Sequence, residues 1–341
     1  MRKMFLALLL AASVAPAMSP AWAQDKTVNM KVSLWVPPAH PLVPATQAWA
    51  ADIEKASGGT IKMSVFPSEQ LGKAFDHYDM ARDGIADMTY VNPGYQPGRF
   101  PVVAIGQIPF TFGDARKGSQ ALDSWYRKYA TAEMKDTKFC FTFVHDPGAF
   151  HSTKKKIMVP ADISGMKVRP AQATIAEMVK SLGGTNVQAS APEARDMLER
   201  GVADAITFPW GSVFIFGIDK VVKYHLDLPL YTTVFTMNMN QKVYDGMSAA
   251  QKKVMDEHCT TEWAEKVGGP WGDFEASGRE KMRTAPGHEV YKIEPAQVEE
   301  WRKATAPLTA SWAEGAKKAG VDPEAAQAEL KAAIAKYGAG M

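Results

Sequence analysis

The chain has only two cysteines, Cys140 and Cys259, in 341 residues. Two are too few for a disulfide framework, and their separation excludes a CxxC redox or zinc motif. In an exported protein, one bridge and two buried thiols are both open readings of such a pair. An excess of one charge is missing as well: 39 Lys and Arg stand against 37 Asp and Glu, and Arg2 and Lys3 supply the difference. A chain so balanced carries no electrostatic footprint for nucleic acid. After the first residues, no apolar run approaches the roughly 20 residues that cross a bilayer. The signatures GxGxxG, GxxxxGK[ST], HExxH and GxSxG are also absent. His288-Glu289 lacks a second histidine, and the adjacent His258 and Cys259 diverge as ligands. These absences argue against an enzyme and predict neither metal nor cofactor.

What is present begins with a leader. Arg2 and Lys3 precede an apolar run from Met4 to Val14, and Ala21-Trp22-Ala23 supplies the small residues of a cleavage site. This layout predicts a signal peptide over residues 1–23, cut after Ala23, and a mature protein released to the periplasm. Hydrophobic residues make up 46% of the chain and charged residues 22%, a balance that builds large cores. The length allows about two domains.

The pattern alternates strand and helix. Val28 to Trp35 reads as a strand, Thr46 to Ala56 as a helix stopped by Gly58-Gly59, and Ile61 to Phe66 as a strand. Phe75 to Arg82 follows as a helix and Ala86 to Val91 as a strand, with further strands at Val102 to Ile105 and Phe139 to Val144. The alternation restarts after Asp162, with strands at Met166 to Arg169 and Asp204 to Thr207 flanking helical stretches. Such alternation predicts α/β units with parallel strands. No Gly/Ser- or Pro-rich spacer separates the halves, so crossing strands that bend are expected to join them. One long helix is expected from Ser248, its N-cap, to about Lys281, bracing both lobes, and a helical layer from Ala296 to Lys336. The boundaries read as lobe I over 24–148 plus about 233–262, and lobe II over 149–232 plus about 263–341.

The segment Asp162 to Trp210 carries the functional signal. Arg169 ends a short strand just before Pro170, which places a guanidinium at a strand mouth. Its planar fork of donors matches a carboxylate in bidentate fashion, the alternative being an ordinary structural ion pair. Phe208 and Trp210 follow the next strand end and are candidate pocket walls or core. Asn92, after the Ala86–Val91 strand, sits where loops meet a cleft, as do Trp35 and His40 around the first loop. Phe235, on a returning strand, is a further candidate wall.

Taken together, HPLVPATQAWAADIEKASGGTIKMSVFPSEQLG (40–72), GIADMTYVNPGY (84–95), IGQIPFTF (105–112), DISGMKVRP (162–170), LERGVADAITFPW (198–210) and MNMNQKVYDGMS (237–248) resemble a known family. They are similar to the DctP-type substrate-binding proteins of tripartite ATP-independent periplasmic (TRAP) transporters, over nearly all of the mature chain. The resemblance implies a two-lobe periplasmic-binding-protein fold of the class II kind, with a ligand cleft, hinge strands and a long bracing helix. It implies a receptor, acting as a monomer, that captures an organic acid and hands it to a membrane permease of one small and one large subunit. It also implies that Arg169, in the G-x-K-[IV]-R motif, pairs with the ligand carboxylate. Sialic-acid and many dicarboxylate binders of the family carry a further arginine in a GFRHF-like segment. Here the corresponding residues are Asp146 to His151, without arginine, and Gly148 and His151 are left as candidate donors. The departure favours a monocarboxylate with an apolar or aromatic body over a C4-dicarboxylate. An ABC-type receptor or sensory binding protein is the alternative outside the family.

Overall fold

The computed structural model describes residues 25–341, so the leader and its cleavage site lie outside the described residues. Two mixed sheets organise the chain. The first contains β1 (Val28–Ser33), β2 (Ile61–Phe66), β3 (Met88–Val91), β4 (Thr137–Val144) and β10 (Val234–Asn240), in the order β2-β1-β3-β10-β4. The second contains β5 (Ala149–Ser152), β6 (Lys167–Arg169), β7 (Thr185–Asn186), β8 (Ala205–Phe208), β9 (Tyr224–Leu226) and β11 (Glu289–Tyr291), in the order β11-β9-β5-β8-β6-β7.

The expected parallel pairing holds where a helix intervenes, as between β1 and β2 or β6 and β8. It fails at β10, antiparallel to both β3 and β4, and at β5, antiparallel to β8 and β9. Both strands enter directly from the other sheet, without the crossover helix that would return the chain in the same direction. The two crossing segments pair with each other: Gly148 N donates to Tyr231 O at 2.8 Å, and Leu230 N to Gly148 O at 3.1 Å. Gly148 has to be a glycine, because a Cβ there would stand 2.8 Å from the Tyr231 ring.

Two expectations need correction. Val103–Gln107 is a 3-10 helix, not a strand; the Glu133 carboxylate takes the backbone N–H groups of Val102 and Val103, which are then unavailable to a sheet. The long helix from Ser248 is two helices, Ala249–His258 and Thr261–Thr284. Ser248 is its N-cap, as expected, with a reciprocal Gln251. The break comes at Cys259-Thr260, where Thr260 caps the second helix and Cys259 is bonded to Cys140 on β4. That bond settles the open reading of the cysteine pair.

Helix Thr261–Thr284 nevertheless packs against both halves: on helices Leu42–Ala56 and Ala115–Glu133 and strand β4, and on helix Trp210–Ile215. The last contact is close enough that a Cβ on Gly278 would lie 2.2 Å from Gly211 Cα. In the C-terminal layer, Trp301 fills the core of the second sheet. Trp312 and Leu330 join the core beside helix Ala115–Glu133, and the last helix, Pro323–Tyr337, packs on that same element.

Candidate functional site

Strands β1, β3, β6 and β8 all end at one cavity. Chain leaving the carboxyl ends of parallel strands is where open α/β sheets place ligands. Trp35 and His40 come from the loop after β1, Asn92 from the end of β3, and Arg169 and Phe208 from the last positions of β6 and β8. Phe235 enters from β10, His145 from the crossing after β4, and Trp271 from the bracing helix.

The walls form a closed belt. Starting at Tyr95, ring centroids follow one another to Trp35 at 6.1 Å, Phe235 at 6.2 Å, Trp271 at 5.0 Å and His40 at 4.9 Å. The belt continues to Phe216 at 6.3 Å and Phe208 at 5.4 Å. Arg169 closes it, its Cζ 5.6 Å from the Phe208 ring and its Nη2 donating to Tyr95 Oη at 3.1 Å. An aromatic belt of this kind presents polarisable, weakly hydrated faces that suit an apolar, planar ligand body.

Arg169 is the one ionised side chain in that lining. It is 1% exposed, Nε donates to Ala189 O at 3.0 Å, and Nη1 makes no hydrogen bond among the described residues. No Asp or Glu of the described residues forms an ion pair with it; Glu193, bonded to Ser190, lies near enough for the guanidinium to help hold its carboxyl below the usual range, but makes no contact with it. A buried cation without a counter-ion is costly to keep, and a ligand anion relieves that cost.

The remaining polar groups are neutral or already engaged. Burial, with His145 nearby, pushes His40 down to about 3, and burial pushes His145 down to about 4. His145 donates from Nδ1 to Asp146 O at 2.5 Å and accepts Thr233 N at Nε2. Asn92 accepts Gly94 N and donates to Ala171 O. Behind the wall, buried Glu275 accepts hydrogen bonds from Gly211 N, Ser212 N, Ser212 Oγ and Trp271 Nε1. Burial pushes its carboxyl up to about 7, and those donors oppose the shift.

Of the residues singled out in the sequence, Arg169, Asn92, Trp35, His40, Phe208 and Phe235 meet at the cavity. Gly148 serves the crossing described above. Trp210 and His151 stand behind Phe208, with Trp210 edge-on to His151 at a centroid distance of 5.0 Å. Trp210 opens a helix directly after the β8 exit and is not among the residues that line the cavity. His151 Nε2 donates to Phe208 O at 3.0 Å, which leaves its Nδ1 to accept from His225 Nδ1 at 2.7 Å. His225 Nε2 then accepts from His288 Nδ1 at 3.0 Å. One carbonyl thereby fixes the tautomers of three imidazoles. The sequence reading missed Tyr95, His145, Phe216 and Trp271. Tyr95 had a signal, since it ends the GIADMTYVNPGY segment; Trp271 had none, lying inside an element read as a brace.

Residues 32–315 match the model of the bacterial extracellular solute-binding protein family 7, DctP. A TRAP solute-binding protein of Rhodoferax ferrireducens, solved with copurified benzoate, superposes with a TM-score of 0.85 at 28% identity, covering 92% of this chain and 99% of that one. A TRAP periplasmic solute-binding protein of Bordetella bronchiseptica, solved with (R)- and (S)-mandelate, gives 0.85 at 28% identity, covering 91% and 99%. A marine metagenome TRAP solute-binding protein specific for aromatic acids, solved with 3-hydroxybenzoate, gives 0.84 at 30% identity, covering 92% and 99%. The chain belongs to family 7 of the bacterial extracellular solute-binding proteins, the receptors of TRAP transporters.

Proposed function

We propose that this receptor captures a small aromatic monocarboxylate and delivers it to its TRAP permease. The observation that carries the reading is a single buried cation, Arg169, set without a counter-ion in an otherwise uncharged aromatic belt. One guanidinium holds one carboxylate, and a second carboxylate would find no cation in this lining. That disfavours the C4-dicarboxylate alternative. Benzoate, mandelate and 3-hydroxybenzoate, the ligands of the three similar proteins, share this one-acid, one-ring form.

The same reading assigns residues 1–23 as the export leader, cut after Ala23, and the Gly148 and Tyr231 crossings as the hinge between two lobes. In this reading Asn92, Tyr95 and Phe235 belong to one lobe and Arg169 and Phe208 to the other, and all five line the cavity. A carboxylate that engages both sides favours the closed form, by its differential affinity for the two states. The receptor returns its ligand unchanged, so intact acid should be recovered after incubation.

Trp35 and Trp271 in the wall offer intrinsic fluorescence as a direct readout. Titration with benzoate, mandelate, acetate and succinate should give tight binding for the ring acids. A saturating ring acid at 100 times its Kd should raise stability by about 2.7 kcal/mol. Succinate or malate binding more tightly than every ring acid would overturn the proposal.

A further inference from the structure

Resting on the aromatic-acid reading, the belt also specifies what the far end of the ligand should carry. Arg169 occupies one position, and Phe208 and Phe216 separate it from His40. The His40 ring is fully buried, packed edge-on against Trp271 on one side and Phe216 on the other. Its tautomer is determined locally. Leu42 N donates to His40 Nδ1 at 3.3 Å, so Nδ1 holds a lone pair and the ring proton sits on Nε2. Burial keeps the ring neutral, with its pKa down at about 3, so this assignment holds across any working pH.

The Nε2–H has a poor partner. Its acceptor in the structure is Ser212 Oγ at 3.5 Å, about half an ångström beyond an ordinary N–H···O bond. Ser212 gives its own hydroxyl proton to Glu275 and also faces Trp271 Nε1 at 3.3 Å, so its oxygen is already shared. The other groups at this end are spoken for: both nitrogens of His145 are engaged, and Trp271 Nε1 donates to Glu275. The Thr233 hydroxyl gives or accepts equally and so adds no preference. Trp35 Nε1, a buried donor without a partner, lies one ring from Arg169 by way of Tyr95 and belongs to the carboxylate end. At the remote end the under-used group is therefore a donor, and it calls for an acceptor.

We propose that His40 is a specificity-determining residue that donates its Nε2–H to an oxygen substituent on the ring, so that the preferred ligands are hydroxylated aromatic monocarboxylates rather than the bare ring acid. A buried donor that gains a partner in one ligand and stays under-used in another discriminates strongly between them.

The test is fluorescence titration of the mature protein and of His40→Phe with benzoate, the hydroxybenzoate isomers and the matching aminobenzoate isomers. On the wild type, one hydroxy isomer should bind at least tenfold more tightly than benzoate, a difference of about 1.4 kcal/mol. The amino isomer of the same position should lose that advantage, because an aryl amine is a poor acceptor. In His40→Phe the ratio of hydroxybenzoate to benzoate affinity should collapse to within about threefold of one. A preference that survives in His40→Phe overturns the proposal. Should that variant fail to fold, equal wild-type affinities for hydroxy and amino isomers overturn it instead. If neither benzoate nor any substituted ring acid binds, the aromatic-acid reading itself has failed, an outcome distinct from a receptor that binds all ring acids without preference.

Discussion

Two clusters of arginine in this molecule solve the problem of a buried charge in opposite ways. Behind the second sheet, Asp227 lies with its side chain 1% exposed, and Arg279 and Arg283 of the bracing helix close on it. Arg279 Nε donates at 2.7 Å and Arg283 Nη2 at 2.8 Å. In the cleft, Arg169 is as deeply buried and has a carbonyl and a phenol for company, but no carboxylate. The first cluster is a completed ion pair and needs nothing further. The second is the same chemistry with its anion left out. A cation buried without its partner is costly, and a protein keeps one where something arrives from outside to complete it.

The comparison breaks most directly at Arg169. Arg169→Ala should weaken the preferred acid by about 100-fold or more, since charge-assisted bonds contribute roughly 1.5–3 kcal/mol each and a bidentate pair makes two. Arg169→Lys should recover only part of this, having no fork. Arg169→Met sharpens the point. With the unpaired charge gone, the ligand-free protein should be as stable as the wild type or more so, by up to about 2 kcal/mol in denaturant melts. A Met variant that is clearly less stable would show that Arg169 is structural after all.

Asp227 should behave in the reverse sense. Asp227→Asn removes the shared anion and sets two guanidinium groups against each other. Each arginine is about a third exposed, at 34%, so water screens part of the damage, and the expected cost is about 2 kcal/mol of stability. Affinity for the acid should stay within about twofold of wild type. Loss of binding on the scale of the Arg169 variants would mean that the two clusters are not independent.

The placement of Arg169 was legible in the sequence, and that of Arg279 and Arg283 was not. Arg169 ends a strand before a proline, and that local grammar fixes a strand mouth. Phe208, Asn92 and Trp35 were legible for the same reason, as residues at or just past strand ends. Trp271 sits in a helix whose apolar spacing reports a buried face, and spacing does not say whether protein or ligand covers that face. His145 occupies a crossing with no periodicity at all. The break at Cys259-Thr260 was masked because the residues on both sides keep helical character, and only the Thr260 cap and the bond to Cys140 end the first helix. The short strands β5, β9 and β11 carry too few residues for a period of two to show.

The histidine chain beside Asp227 adds a third way to bury an ionisable group, which is to keep it uncharged. His225 precedes Asp227 by two positions, and burial with two neighbouring imidazoles pushes it down to about 2. His151, buried behind Phe208, is down at about 4. At the His288 end burial also pushes the imidazole down, and the charge of Asp219 pulls the other way. The sign follows from which state binds the proton. Below the ordinary histidine pKa of about 6.5 the unfolded chain takes up protons that the folded chain refuses. The histidine contribution to stability is therefore complete above about pH 6.5 and falls as the pH drops toward 4, by about 1.4 kcal/mol per unit for each such group. Glu275, raised to about 7 by burial, opposes this, since a carboxyl that holds its proton in the folded state gains stability as the pH falls through its folded pKa. Denaturant melts of His225→Asn between pH 7.5 and 4.5 isolate one share. The variant should start less stable than wild type at pH 7.5, with the chain interrupted, and lose stability more slowly on acidification. Parallel curves would show that the buried imidazoles are not what makes this half of the molecule sensitive to acid, and that only its two arginine clusters carry electrostatic weight.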